Sequence, residues 1–290
     1  MPTQAQQDPA TPNKPLQPAS YTSHFVQAGD LKLHYLDYGT AGLPPMLCIH
    51  GSAAHAHWFD FVAPGFTPDY HVRALDLRGH GESESVDPPS YLYEDYASDI
   101  NKAVEKLDLR DFVLIGHSMG GIVSLFYAAT YPGRAKKLII VDSAVNLSAD
   151  RLAKMREVGT KPGRPYETKD ELVARYKLRP GESRATPEIV QYIASRSAKQ
   201  ADDGTWGFKF DRAVYATRVH IDGRPLWSKI KIPALLVRGG LSSRITDEVY
   251  ADARARAPQL ELGEVSNSGH HITLDNPSEF IEVVRPFLAK

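Results

Sequence analysis

Residues Phe112 to Gly121 read Phe-Val-Leu-Ile-Gly-His-Ser-Met-Gly-Gly. A compact apolar run passes straight into a Gly-x-Ser-x-Gly turn. The stretch from Gly121 to Tyr131 that follows is small and apolar on most sides, as suits a helix buried beneath a sheet. An uninterrupted apolar strand is covered on both faces, which is the habit of parallel sheets. The segment therefore calls for neighbouring strands on either side and helices above and below.

The rest of the chain supplies them. Met46–Ile49, Val72–Leu75, Leu138–Val141 and Ala234–Val237 are further compact apolar runs. Leu31 to Leu36 alternates with period two, as a half-exposed strand does. Tyr93 to Leu107 places Tyr96, Ile100, Ala103, Val104 and Leu107 at helical spacing, and Phe280 to Leu288 forms a closing helix with Pro277 near its start. Strands alternating with helices predict an α/β fold with a doubly wound, mostly parallel sheet. The alternation lapses between 146 and 226, where Asp170–Tyr176 and Pro187–Ile193 are helical instead. A structureless connection of that length is rare, so the segment is expected to be a helical cap. It would be inserted into a core made of residues 21–145 and 227–290. Residues 1–20, rich in Pro, Gln and Thr, read as a disordered arm.

Composition narrows the partners. With 290 residues and 42% of them hydrophobic, the chain can bury one large core. A net charge of -1 argues against nucleic acid or an anionic membrane surface. No apolar run approaches the ~20 residues of a membrane span, and the N-terminus lacks the pattern of a secretory signal. A cytoplasmic location is expected. The one cysteine, Cys48, forms no intrachain disulfide and sits in an apolar strand, where a buried thiol is the ordinary case. It suggests no metal site.

Ser118 is the residue the elbow presents. A serine hydroxyl is a weak nucleophile unless it is held out of the chain toward a base. A sharp strand-to-helix turn does this when small residues flank it, and the helix N-terminus behind it places partial positive charge near a developing oxyanion.

Four motifs in order make the chain resemble the α/β-hydrolase superfamily over nearly its whole length after the N-terminal arm. His50-Gly51 follows the strand Met46–Ile49. Asp76-Leu77-Arg78-Gly79-His80-Gly81-Glu82-Ser83 matches the D-x-R-G-x-G-x-S turn. Gly116-His117-Ser118-Met119-Gly120 matches the nucleophile elbow, and Ser268-Gly269-His270-His271 with Asn276-Pro277 matches the histidine loop and final helix. The resemblance implies His270 as the base, since it directly follows the glycine and stands seven residues before the proline. His271 would be a neighbour lining the pocket or packing outward. The resemblance also implies backbone N–H groups of Ser52 and Met119 as the oxyanion hole. Trp58 would wall the substrate side or belong to the core.

The acid departs from the common pattern. The expected position, after the strand Ala234–Val237, is Ser242. The next carboxylates, Asp247 and Glu248, look like the first turn of a helix capped by Thr246. Asp142, at the end of Leu138–Val141, is one strand away. Strands lie ~4.8 Å apart, so its carboxylate could reach the second nitrogen of His270, with Ser242 as hydrogen-bond support. The superfamily includes members with the acid at this earlier strand. Asp247 or Glu248 stays open as the alternative.

These residues imply acyl transfer on a small-molecule ester or lactone, with no metal or organic cofactor. A carbon–carbon bond hydrolase of a vinylogous diketone would use the same residues, and Arg175, Arg179, Arg184 or Arg218 could then hold a substrate carboxylate. A small-molecule receptor on the same scaffold is the alternative from another class. A haloalkane dehalogenase would need a carboxylate where Ser118 stands.

Overall fold

The computed structural model describes residues 17–290; the first sixteen residues of the expected N-terminal arm lie outside them. Within the described part of that arm, Ala19 N–H donates to the Asp60 carbonyl at 2.8 Å.

Ten strands are described. They are β1 (Thr22–Ala28), β2 (Leu31–Asp37), β3 (Pro45–Ile49), β4 (His71–Leu75), β5 (Phe112–His117), β6 (Ala135–Val141), β7 (Ala198–Gln200), β8 (Trp206–Phe208), β9 (Ala234–Gly239) and β10 (Leu260–Val265). Eight form one sheet in the order β1-β2-β4-β3-β5-β6-β9-β10. The pairs β1–β2 and β2–β4 are antiparallel and all the others are parallel. This is the mostly parallel α/β architecture expected from the sequence.

Side chains alternate across each strand, and the two faces of the sheet bury separate cores. Leu47, Leu114, Leu138, Ile140 and Leu236 enter one core. Met46, Ile115, Ile139, Val141 and Val237 enter the other. Helices α1 (Tyr93–Lys106) and α2 (Met119–Thr130) cover the first face. The last helix (Pro277–Leu288) buries Phe280, Val284 and Phe287 against the second. Cys48 is buried in that second core, and burial pushes its thiol up.

Two edge strands escaped the sequence reading. In β1 only Val26 and Ala28 are buried, and β10 carries Glu261, Gly263 and Glu264 among its apolar residues. An edge strand has one free side and tolerates such residues. By contrast β2 is more buried than its alternation suggested. His34 goes inside because Asp76 accepts from its ring Nδ1 at 2.7 Å and Ser23 Oγ meets its Nε2 at 2.8 Å.

The segment expected to form a cap holds α3 (Ala149–Thr160), α4 (Lys169–Arg175), α5 (Pro187–Arg196) and α6 (Ala213–Ala216). It also holds the β7–β8 hairpin, which the turn-rich run Asp202–Gly207 closes. Helices α3, α4 and α5 each begin on a hydroxyl cap, from Ser148, Thr168 and Thr186. Three short helices complete the order: α7 (Asp247–Arg256), α8 (Ile272–Asp275) and α9, the last helix already described. No helix among the described residues is long and apolar enough to cross a membrane.

Candidate active site

The elbow is built as its sequence demands. Ser118 lies between β5 and α2 with φ 54° and ψ -117°, a strained conformation for a residue bearing a side chain. Gly116 and Gly120 make it possible. A β-carbon on Gly116 would collide with the Gly120 carbonyl and Ser124, and one on Gly120 would collide with the carbonyls of Ile49 and His50. Strand, turn and helix pack backbone to backbone here.

Ser118 Oγ lies 2.9 Å from His270 Nε2, and His270 Nδ1 lies 2.6 Å from Asp142 Oδ2. The three residues come from the ends of β5 and β6 and from the loop between β10 and α8. Asp142 follows β6 with φ 43°, and its N–H donates to the Val237 carbonyl at 2.8 Å. Ser242 Oγ donates to the same carboxylate oxygen at 2.7 Å, and Gly239 N–H approaches the other at 3.4 Å. Asp247 points elsewhere. Its carboxylate is exposed, opens α7 and accepts from Arg238 Nη1 at 2.6 Å, while Glu248 beside it is also exposed.

Burial raises the Asp142 carboxyl, against hydrogen bonding from Ser242 that lowers it. Burial holds His270 well below the usual imidazole range, and the charges of Arg244 and Arg151 push it the same way. The imidazole is therefore neutral around neutral pH. Asp142 accepts from Nδ1–H, so Nε2 is left to accept from Ser118.

Ser52 and Met119 stand together beside the elbow, with Ser52 Oγ 3.0 Å from Met119 Sδ. Met119 opens α2, so its N–H has no partner inside the helix. Among the described residues neither backbone N–H donates to a protein acceptor. Gly51 lies against Ser118: a β-carbon there would come within 3.1 Å of Ser118 Cβ.

Two histidines do work that the sequence did not reveal. His50 holds the loop bearing Ser52. Its Nδ1–H donates to the Gly51 carbonyl at 2.7 Å, and its Nε2 accepts from Leu77 N–H at 3.0 Å. Asp76 anchors the same region by accepting from Ala56 N–H at 2.6 Å and Glu82 N–H at 3.0 Å. His117 donates from Nε2 to the His270 carbonyl at 2.8 Å and so holds the histidine loop from behind. Both look like turn residues in the sequence, because the partners that define their roles are 27 and 153 positions away.

Above these residues lies a cavity of about 560 Å³, within the usual range for a small-molecule site. Trp58, Ile122 and His271 line it from the core, and Met155, Leu178 and Phe208 from the segment between 146 and 226. Trp58 is at once a pocket wall and a core residue. Of the four arginines singled out in the sequence, Arg175, Arg179 and Arg218 reach the cavity lining and Arg184 does not.

Residues 44–277 match the family model of the alpha/beta hydrolase fold. The chain is 27% identical over 271 residues to an esterase of Mycobacterium tuberculosis, covering 91% of this chain and 88% of the relative. It is 28% identical over 277 residues to the 3-hydroxybutyrate-oligomer hydrolase of Cupriavidus necator, covering 88% and 94%. Among solved structures it resembles E-2-(acetamidomethylene)succinate hydrolase with a TM-score of 0.84 and 22% identity, over 93% of this chain and 100% of that one. The elbow, the sheet that carries it and a family match over most of the chain agree: this protein belongs to the α/β-hydrolase family.

Proposed function

We propose that the chain is a serine hydrolase that cleaves a small-molecule carboxylic ester or lactone through an acyl-serine intermediate. The observation that carries the reading is the unbroken relay from Ser118 Oγ through His270 to Asp142, at 2.9 and 2.6 Å, opening into the cavity. The esterase and oligomer-hydrolase names of relatives at 27% and 28% identity support ester chemistry.

In this reading His270 Nε2 takes the proton of Ser118 Oγ as that oxygen attacks the substrate carbonyl. The backbone N–H groups of Ser52 and Met119 receive the oxyanion, each such donor being worth ~2.7–4 kcal/mol in the transition state. Asp142 holds the imidazole in the productive tautomer and stabilises its cation. The protonated Nε2 hands its proton to the leaving alcohol. Water then attacks the acyl-serine with His270 again as base, and Ser118 is regenerated. The segment between 146 and 226 acts as the cap that shapes the substrate cavity, since apolar side chains of this segment, Met155, Leu178 and Phe208 among them, line the wall above Ser118.

The test is a fluorophosphonate label followed by peptide mapping, with a panel of esters and lactones alongside. Ser118 is the expected adduct, and Ser118→Ala should abolish turnover while leaving the thermal transition in place. Labelling at a different serine would refute the assignment.

A further inference from the structure

The Ser118 cavity holds positive charge that ester hydrolysis as written does not use. Arg218 follows α6 and is only 4% exposed. Its Nη1 donates to Ser52 Oγ at 3.1 Å and lies 2.7 Å from Met119 Sδ, and its Nη2 donates to Tyr93 OH at 3.1 Å. All three acceptors are neutral, and its Nε is buried with no partner. Among the described residues no carboxylate pairs with Arg218 or with Arg151, which lines the same cavity from α3 and is itself exposed. Arg244, after β9, also lines the wall beside Arg218 and Arg151, but Asp142 faces it at 3.9 Å.

Buried charges are ordinarily paired, because leaving water without a counter-charge is costly. Arg218, the buried one of the three, has no such partner, and its neighbours in the cavity are themselves cations. Burial and then the Arg218 charge hold Arg151 below the usual guanidinium range. Burial and then the Arg151 charge push Arg244 down to about 10. An anion entering the cavity would relieve both the desolvation and the repulsion. A planar guanidinium fork suits a carboxylate in particular.

Its position says where that anion belongs. His270 Nε2 must protonate the leaving group, so the leaving group lies on the imidazole side of the scissile carbonyl. Arg218 sits on Ser52 and Met119, the oxyanion side. Resting on the hydrolase reading above, we propose that the substrate carries a carboxylate on its acyl part, a few bonds from the scissile carbonyl, and that Arg218 binds it with Arg151 in support. The preferred substrates are then half-esters of short dicarboxylic acids.

The experiment compares methanol release from monomethyl succinate with release from methyl 4-oxopentanoate, a neutral ester of similar shape. Charge-assisted hydrogen bonds of ~1.5–3 kcal/mol give an expected preference of ~13–160-fold in kcat/KM for the anionic ester. Arg218→Gln should bring that ratio close to one, chiefly through the KM of the anionic ester, and Arg218→Lys should retain part of it. Equal rates on the two esters in the unmodified chain would overturn the proposal. So would an Arg218→Gln variant that slows both equally, which is how a mere clamp on Ser52 would behave. Calorimetry supplies a readout independent of turnover. Monomethyl succinate should bind the Ser118→Ala protein and lose that binding when Arg218→Gln is added. Absence of binding, or tighter binding of inorganic phosphate, would overturn the carboxylate assignment. The fluorophosphonate label separates the two readings. A labelled Ser118 with preference for the neutral ester removes the anion site alone. No label and no turnover removes the hydrolase reading, and the calorimetric result still decides the anion site.

Discussion

His270 Nδ1 meets Asp142 Oδ2 at 2.6 Å, and the carboxylate it meets stands at the end of β6, one strand away from the position the wider family pattern favours. That position, after β9, holds Ser242. The two sites have exchanged duties across the β6–β9 pair: Asp142 faces the imidazole, and the Ser242 hydroxyl donates to Asp142 at 2.7 Å. Val141 pairs with Val237, so Asp142 leaves the sheet beside the end of β9, within reach of the Ser242 hydroxyl. Asp142→Asn should preserve the fold and favour the wrong tautomer of His270, with a loss in kcat approaching ~10⁴. Ser242→Ala removes one hydrogen bond worth ~0.5–1.5 kcal/mol and should cost about 2–13-fold. Asp247→Asn should leave kcat nearly untouched, because its carboxylate is exposed and held by Arg238. Steady-state kinetics on the three variants check the ranking, and an Asp247 effect larger than that of Asp142 would reverse the assignment.

Arg244 gives the reaction a pH signature. Its charge is the largest influence on His270 after burial, and both act to lower the imidazole pKa. The acid limb of kcat/KM should therefore fall below the ordinary histidine value of ~6.5. Removing the cation makes protonation of His270 easier, so Arg244→Gln should move that limb upward and narrow the active range on its acid side. A pH–rate profile of the two proteins measures the shift. A limb that stays in place or moves down would show that Arg244 does not act on the base.

His50 tests the proposed oxyanion role of the Ser52 loop without touching Ser118. His50→Ala frees the Gly51 carbonyl and leaves Leu77 N–H without its acceptor, both of which are bonded to the ring at 2.7 and 3.0 Å. If the loop then fails to hold Ser52 N–H in place, kcat should fall by up to the ~2.7–4 kcal/mol of one oxyanion donor. The ground-state carbonyl gains little from that donor, so KM should change less than kcat. Fluorophosphonate labelling should slow in parallel. A variant with full kcat would show that the loop stands without its histidine.

Asp60 ties the segment above the cavity to the core. It is fully buried and accepts from Tyr38 OH at 2.7 Å, from His57 Nδ1–H at 2.8 Å and from Tyr192 OH of α5 at 2.5 Å. Arg196, one turn further along α5, lies 3.9 Å away. Asp60→Ala strips these donors of their acceptor inside the protein and should destabilise it by ~3–5 kcal/mol, as the loss of one member of a buried charged network does. Denaturant unfolding reads the loss, and limited proteolysis should find new cleavage between 146 and 226. Unchanged stability would show that the tie is dispensable.

The sequence by itself determined the fold and the elbow that presents Ser118, because both are local. The apolar runs at β3, β4, β5, β6 and β9 have the length and continuity of strands buried on both faces. The two glycines flanking Ser118 are demanded by a backbone contact between adjacent elements. His270 was legible through its loop motif, and Asp142 through the absence of a carboxylate at Ser242. Tertiary structure decided the rest. Whether Asp142 or Asp247 reaches the imidazole depends on which way two loops leave neighbouring strands, a matter of angstroms that spacing does not encode. The roles of His50 and His117 rest on partners distant along the chain. Arg218 looked like one surface arginine among several in a polar segment, and only the packing of that segment over the elbow buries it against Ser52 and Met119. Edge strands β1 and β10 stayed hidden because a strand paired on one side is free to carry polar residues, which removes the pattern that would announce it.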